Sequence, residues 1–333
     1  MSYENRTLGS LLEDTRIAAI ADDAIRGRNL KEEPLWNMTL KQLKEQKFFT
    51  GEIGDGMKCL YQASGSGSWY YPLYSKEECA EDPARQGVNV IRLPSDAANA
   101  GERPFILLVP GGGFVNVWSL TEGWPVAEQF NRYGYNVFVL TYQVDGEERL
   151  LEKNMQDFAR ALDLIKERET EFHVQADRYI TCGFSAGGYL VCLWNTKMGY
   201  AHYGHPKPQA VFPIYPVTTL KPEIRYGEDD PAVARRLYGC SLAEAAELDF
   251  EITDHAEGFP PCAIFVAEDD ELVNPENSRI LIKALEKLQI PCRLEMGKEG
   301  RHGFADGSGT CMAGWTQRAV QWYESLQNTN LEK

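Results

Sequence analysis

The sequence predicts an α/β fold in which helices cover both faces of a mostly parallel sheet. The first observation is an alternation: from residue 88 onward, short apolar runs typical of buried strands take turns with segments of helical periodicity. The second is the composition, which with 43% hydrophobic and 25% charged residues is that of an ordinary globular chain. A length of 333 residues is enough for one large or two modest domains with a substantial core.

The first 85 residues differ in pattern from the rest and are predicted to form an N-terminal extension of helices and loops. Residues 7–47 have apolar positions at helical spacing, which predicts two or three short helices, broken near Gly27 and Pro34. Residues 51–84 are rich in Gly, Ser and Tyr, which predicts loops and at most one hairpin.

Residues 86–330 are predicted to form the main domain, in which strands and helices alternate. The predicted strands are 88–93, 105–109, 136–141, 179–182, 210–214, 262–266 and 292–296. The predicted helices are 127–133, 155–169, 186–194, 276–288 and 315–326. Residues 218–258 interrupt this rhythm with a polar, alanine-rich insertion, which predicts a small helical cap over the carboxyl edge of the sheet.

The charge balance narrows the classes of partner. Forty-nine acidic and 34 basic side chains leave a net charge of −15, which repels phosphate backbones and anionic lipid. We therefore expect neither nucleic acid nor a membrane as partner. A basic segment followed by an apolar stretch is absent from the first residues, which leads us to expect a cytoplasmic protein. The eight cysteines are scattered without a Cys-x-x-Cys pair, so no metal site is expected.

Two glycine-rich motifs follow predicted strands and point to nucleophilic chemistry. Residues 183–188, Gly-Phe-Ser-Ala-Gly-Gly, lie between a strand and a helix. A serine held on such a tight turn needs small residues two positions before and after it. Residues 110–114, Pro-Gly-Gly-Gly-Phe, follow the strand 105–109, where backbone N–H groups can form an oxyanion hole. Each motif alone is equally typical of a structural turn, but the pair favours catalysis.

The remaining members of a catalytic set follow in chain order. The acidic segment 268–271 comes directly after the strand 262–266, and His302 stands between glycine and arginine neighbours in the loop after the next strand. Of the five histidines, His302 is the one placed at a strand end in this way. The order Ser, Asp, His is that of the triad in α/β hydrolases.

The segment from about residue 88 to 326 resembles the α/β-hydrolase superfamily, and within it the esterase/lipase group of carboxylesterases, acetyl esterases and xylan-deacetylating enzymes. The resemblance rests on the motifs at 110–114, 119–123, 157, 183–188, 269–273, 277–278 and 300–304. Two positions depart from the usual pattern. Pro110 replaces a histidine that opens the glycine run in many lipases, and Gln143 replaces a frequent arginine.

The resemblance implies Ser185 as nucleophile, His302 as general base and acid, and Asp269 as the carboxylate that orients the histidine. Asp270 is the alternative for that last role. The oxyanion hole is predicted to use the N–H group of Ala186 with that of Gly112 or Gly113.

Four aromatic residues flank these motifs and are candidate substrate-binding residues. Phe114, Trp118, Tyr189 and Phe304 would line a pocket for a small acyl group or a sugar ring, although aromatic residues at such positions are more often part of a core. No organic cofactor or metal ion is required by this chemistry.

The sequence thus predicts a serine hydrolase that cleaves carboxylic esters of small, neutral substrates through an acyl-enzyme. The expected partner is a small-molecule ester, and the sequence leaves open whether two copies of the chain form a homodimer.

Two other interpretations of the function remain. A peptidase of the prolyl-oligopeptidase type shares the Asp-Asp pair and the serine turn, but the N-terminal segment is too short for a propeller. A non-catalytic binding protein on the same fold would have a broken triad.

Overall fold

The structure is a computed structural model that describes residues 3–46, 51–221, 223–224 and 230–331. In this part of the chain, eight strands form one sheet in the order β1-β2-β4-β3-β5-β6-β7-β8. The strands are β1 Tyr70–Pro72, β2 Asn89–Leu93, β3 Phe105–Val109, β4 Val137–Thr141, β5 Tyr179–Phe184, β6 Ala210–Ile214, β7 Cys262–Ala267 and β8 Cys292–Gly297. Strands β1 and β2 are antiparallel to their neighbours and the others are parallel. The predicted α/β class is confirmed.

Helices cover both faces of this sheet. They are α1 Leu8–Leu12, α2 Leu40–Glu45, α3 Ile53–Gly65, α4 Lys76–Glu81, α5 Trp124–Arg132, α6 Leu150–Glu167, α7 Glu169–Phe172, α8 Ser185–Leu193, α9 Pro231–Tyr238, α10 Leu242–Ala246, α11 Glu276–Lys287 and α12 Trp315–Leu331. A hydrophobic core lies on each face of the sheet, and the side chains of β3 alternate between the two. Ile106 and Leu108 pack with residues of the N-terminal extension, whereas Leu107 and Val109 pack on the opposite face. Each described helix is too short or too polar to cross a bilayer.

The sheet order determines where chemistry can occur. Strands β3, β5, β6 and β7 are parallel neighbours, so their carboxyl ends meet at one edge. The predicted motifs follow β3, β5, β7 and β8, and they therefore converge there, as expected for a ligand site in an open parallel sheet.

Helix α3 lies where loops were predicted, and that prediction was wrong. Glycines at 54, 56 and 65 lower the intrinsic helix propensity of this segment. Burial of Met57 and Leu60 in the core compensates for that cost. A Cβ on Gly56 would lie only 2.9 Å from the backbone nitrogen of Pro125, so glycine is what allows α3 to approach α5 this closely.

The predicted cap region contains helices α9 and α10 and two 3₁₀ turns, Ile252–Asp254 and Ala256–Gly258. Residues 222 and 225–229 of the predicted cap lie outside the described residues, as does residue 47 of the predicted N-terminal helices. Arg236 of α9 donates hydrogen bonds to the carbonyl oxygens of Phe114 and Val144. The cap is thereby attached to the loop that follows β3.

The predicted N-terminal extension, residues 1–85, contributes to the sheet and to its edge. It supplies β1, and Arg26 exchanges two backbone hydrogen bonds with Val117 at 3.1 and 3.2 Å. The N–H group of Leu120 donates to the carbonyl of Ala24. Within the extension, the buried Asp23 accepts a hydrogen bond from Asn89, and burial raises the pKa of Asp23 to about 7, although Arg26 and Asn89 oppose that shift.

We predict that Asp23→Asn flattens the pH dependence of stability. The carboxyl of Asp23 has a folded pKa of about 7, above the ordinary value near 3.9 of the unfolded chain. Its contribution to stability is therefore full below about pH 4 and lost as the pH rises through 7. The free energy of unfolding, measured by urea denaturation, should fall between pH 5 and pH 8. This fall should be about 2 kcal/mol larger in the wild type than in Asp23→Asn. Equal drops in the two proteins would contradict the prediction.

Candidate active site

Ser185 stands at the turn between β5 and α8 with a left-handed backbone, φ 51°. The surrounding glycines are required by close contacts. A Cβ on Gly187 would overlap the carbonyl oxygen of Val109, and one on Gly183 would overlap the carbonyl oxygen of Gly187. The strained turn therefore presents the Ser185 side chain at the carboxyl edge of the sheet.

A chain of hydrogen bonds connects Ser185 to a buried carboxylate. The Ser185 Oγ lies 2.9 Å from His302 Nε2, and His302 Nδ1 lies 2.8 Å from Asp270 Oδ2. The other oxygen of Asp270 accepts from the N–H groups of Leu272 and Val273 at 2.9 and 2.8 Å. With Nδ1–H donating to Asp270, Nε2 is left as the acceptor for the serine hydroxyl, which is the geometry of a nucleophile beside a general base.

The carboxylate beside His302 is Asp270, and our expectation of Asp269 in that position was wrong. Strand β7 extends one residue further than predicted, to Ala267, and the turn after it directs Asp270 towards the histidine. Asp269 instead accepts two hydrogen bonds of 2.8 Å from the N–H groups of Gly300 and Arg301. The first aspartate thus fastens the loop that carries His302, and the second contacts the imidazole.

The loop after β3 lies against the nucleophile. The Cβ position that Gly111 lacks is 2.9 Å from the Ser185 Cβ. Gly112 and Gly113 have φ values of 138° and 64°, which favour glycine. Ala186 belongs to the first turn of α8, where N–H groups lack intrahelical acceptors. Ala186 directly follows Ser185, and Gly112 and Gly113 follow the glycine that contacts it. The role of Gly112, Gly113 and Ala186 as oxyanion donors stays a prediction.

The four predicted substrate-binding aromatics divide into two pairs. Tyr189 is 1% exposed and donates from its hydroxyl to the carbonyl of Phe250, and Phe304 is completely buried against Tyr215. Both are core residues, so the structure gives them no surface for a substrate. Phe114 is 8% exposed and packs edge-on against Tyr189 in the same core, whereas Trp118 is half-buried beside the glycine loop. These two keep some exposed surface and stay candidates, Trp118 with the larger share.

Two neighbours of the site were given no role from sequence, although one of them, Glu122, lies in the motif at 119–123. The ring of Tyr215, just after β6, lies with its centroid 4.7 Å from that of His302. Glu122 is buried and accepts hydrogen bonds from Gly111 and Tyr215. The available signal was position, because Tyr215 follows a parallel strand and so lies at the same edge as the other motifs.

Gln143, which stands in place of a frequent arginine, donates hydrogen bonds to the buried carboxylate of Asp157. Its backbone and side-chain N–H groups donate to Asp157, as does the hydroxyl of Tyr74. Burial raises the pKa of Asp157 to about 6 against these hydrogen bonds. The described residues contain no group of three or more His, Cys, Asp or Glu side chains that could hold a metal ion.

A serine on a strand-to-helix turn, hydrogen-bonded to a histidine and an aspartate from later strand ends of a mostly parallel sheet, defines an α/β hydrolase. The BD-FAE family model matches residues 91–285, more than half of the chain, and the chain belongs to this family. The predicted resemblance to the esterase/lipase group of the superfamily is confirmed.

Similar proteins include enzymes that act on xylan. The chain is 28% identical over 225 residues to endo-1,4-beta-xylanase B of Butyrivibrio fibrisolvens, covering 65% of this chain and 34% of the relative. It is 24% identical over 215 residues to an acetylxylan esterase of Xylanibacter ruminicola, covering 61% and 41%. The chain thus spans well under half the length of these curated relatives. A solved structure, the acetyl ester-xyloside bifunctional hydrolase of Caldicellulosiruptor lactoaceticus, has 26% identity and a TM-score of 0.65, covering 78% of this chain and 97% of its own.

We predict that the two adjacent aspartates respond differently to the same substitution. Asp270→Asn removes the carboxylate that orients His302, so labelling of Ser185 by a fluorophosphonate should slow by a factor on the order of 10³ to 10⁴. Asp269→Asn leaves the imidazole with its partner and should slow labelling by less than about tenfold. The rates can be measured by intact mass spectrometry over time. Slower labelling in Asp269→Asn than in Asp270→Asn would contradict the assignment.

Proposed function

We propose that the chain is a serine esterase that hydrolyses short-chain carboxylic esters of neutral, sugar-like alcohols. The observation that carries this proposal is the hydrogen-bonded array of Ser185, His302 and Asp270, with Ser185 Oγ 2.9 Å from the histidine. Membership of the BD-FAE family supports the same conclusion.

In the proposed reaction, Ser185 Oγ attacks the ester carbonyl as His302 Nε2 accepts the hydroxyl proton. The buried Asp270 holds the imidazole in the required tautomer and stabilises the imidazolium that forms. The tetrahedral intermediate collapses when His302 protonates the leaving alcohol, which breaks the ester bond and leaves the acyl group on Ser185. Water then attacks the acyl-enzyme by the same steps, giving the carboxylic acid and free serine.

The oxyanion formed on attack is stabilised by the N–H group of Ala186 with that of Gly112 or Gly113. Each such donor typically contributes about 3 kcal/mol of transition-state stabilisation. The N–H group of Gly111 is already engaged with Glu122, so it is not one of these donors. The φ values of Gly112 and Gly113 explain why the donor loop consists of glycines.

Three features support a small, neutral substrate. The relatives include an acetylxylan esterase and a hydrolase of acetyl esters and xylosides. The net charge of −15 disfavours anionic substrates. A residue beside the array exposes apolar surface: Leu272, whose N–H group donates to Asp270, is 66% exposed.

The two other interpretations are less well supported. The described residues before β2 form four helices, short 3₁₀ turns and one strand, not a propeller, which argues against a peptidase of the prolyl-oligopeptidase type. A binding protein without activity has no need for a hydroxyl–imidazole–carboxylate array with every hydrogen bond in place.

We predict that Ser185→Ala abolishes hydrolysis of p-nitrophenyl acetate, because the covalent step needs the hydroxyl. The expected loss in kcat is on the order of 10⁵-fold or more. The melting temperature should stay close to the wild-type value, since alanine keeps the Cβ of serine and needs no change in the turn. If the variant melts normally and hydrolyses the ester at the wild-type rate, the proposed function is wrong.

We predict that the rate of hydrolysis depends on the acyl length and on the charge of the ester. In a panel of esters from acetyl to octanoyl, kcat/KM should be highest for acetyl, and acetylated xylose should be a substrate. A neutral ester should be hydrolysed faster than a matched carboxylated one at low salt, with the difference shrinking as salt screens the protein's charge. A preference for octanoyl esters, or turnover of prolyl amides in place of esters, would contradict the substrate class.

A further inference from the structure

Glu122 is a buried carboxylate that the proposed reaction does not use. It lies in a single π-helical turn, Ser119–Gly123, between the glycine loop and α5, and is 7% exposed. Its Oε2 is 3.0 Å from the Cβ position that Gly111 lacks, and that position is itself 2.9 Å from the Ser185 Cβ. A carboxylate with this location needs an explanation, because burying a charge is costly unless the group is well bonded.

The two oxygens of Glu122 bond to two different parts of the site. Oε2 accepts from the N–H group of Gly111 at 2.6 Å, immediately before the proposed oxyanion donors. Oε1 accepts from the hydroxyl of Tyr215 at 2.8 Å. The Tyr215 hydroxyl in turn accepts from the N–H group of Ala305 at 3.2 Å, three residues after the catalytic histidine. One carboxylate therefore joins the glycine loop to the loop of His302.

The backbone around this connection is strained. Tyr215 and Ala305 have positive φ values of 38° and 47°, in a region that residues with a Cβ rarely adopt. The Tyr215 ring also packs on His302, with 4.7 Å between ring centroids. Such conformations persist only where surrounding contacts hold them, and the bonds that start at Glu122 are among those contacts.

The hydrogen bonds of Glu122 also indicate whether its carboxyl group is ionised. Both oxygens of Glu122 accept from donors, which suits the ionised form. Burial raises the pKa of Glu122, whereas the Gly111 N–H group, the Tyr215 hydroxyl and the positive charge of His302 in its protonated form oppose that shift. Tyr142 and Tyr215 also interact electrostatically with Glu122, and both are neutral phenols. Burial raises the pKa of each phenol well above its usual range.

We propose that Glu122 is a positioning residue: its carboxylate sets the glycine loop and, through Tyr215, His302 in the geometry required for attack by Ser185. This inference rests on the proposed esterase function. Glu122 touches no reacting atom, so its loss should weaken the transition state more than the binding of the ester.

The test compares Glu122→Gln with Asp157→Asn in hydrolysis of p-nitrophenyl acetate. Asp157 is a matched control, because it too is a buried, hydrogen-bonded carboxylate, yet its bonds go to Tyr74 and Gln143. In Glu122→Gln we expect kcat to fall about 10- to 100-fold while KM stays within about twofold. In Asp157→Asn the melting temperature should fall while kcat stays within about threefold.

A loss of kcat in Glu122→Gln no larger than in Asp157→Asn would overturn the positioning role. Should Glu122→Gln fail to fold, Tyr215→Phe decides, because it keeps the ring on His302 and removes only the hydroxyl between Glu122 and Ala305. Its kcat should fall severalfold at unchanged KM, and an unchanged kcat would overturn the proposal. Ser185→Ala in the same assay separates the two failures: retained hydrolysis there refutes the esterase function itself, whereas its loss beside an unaffected Glu122→Gln refutes only the positioning role.

Discussion

The close approach of helix α8 to strand β3 is the constraint on which the rest of the site depends. Gly187 lies so near the carbonyl of Val109 that no side chain fits, and Ser185, two residues before it, is held with φ 51°. This contact places the serine hydroxyl at the carboxyl edge of the sheet and the first amides of α8 opposite the glycine loop. Because this turn fixes the position of Ser185, the other site residues have to reach it from neighbouring strand ends.

The adjacent carboxylates Asp269 and Asp270 show how one short loop performs two functions. Asp270 contacts His302 and is itself held by two backbone N–H groups, so its charge is fixed in direction. Asp269 accepts from the N–H groups of Gly300 and Arg301 and thereby anchors the loop on which the histidine sits. The orientation of the imidazole thus depends on both residues. Asp270 contacts the ring itself, and Asp269 holds the backbone just before His302.

The described part of the N-terminal extension bonds to the loop after β3 and to the loop of His302. Arg26 pairs with Val117 in the loop after β3, and the N–H group of Glu52 donates to Asp306, four residues after His302. The same two loops are joined internally by Glu122 and Tyr215. Both loops therefore bond to the N-terminal extension as well as to each other, and a change in that extension can reach the site through these hydrogen bonds.

The sequence by itself determined the alternation of strands and helices, the serine turn and the position of His302, because period and turn chemistry are local properties of the chain. It did not determine helix α3, because the glycines of that segment have low helix propensity and the contact of Gly56 with Pro125 is not visible in the sequence. Nor did it determine which aspartate contacts His302. It also placed Tyr189 and Phe304 at the pocket, whereas both lie in the core. Contacts between distant segments decided these points, since burial and side-chain direction depend on neighbours that only the tertiary structure brings together.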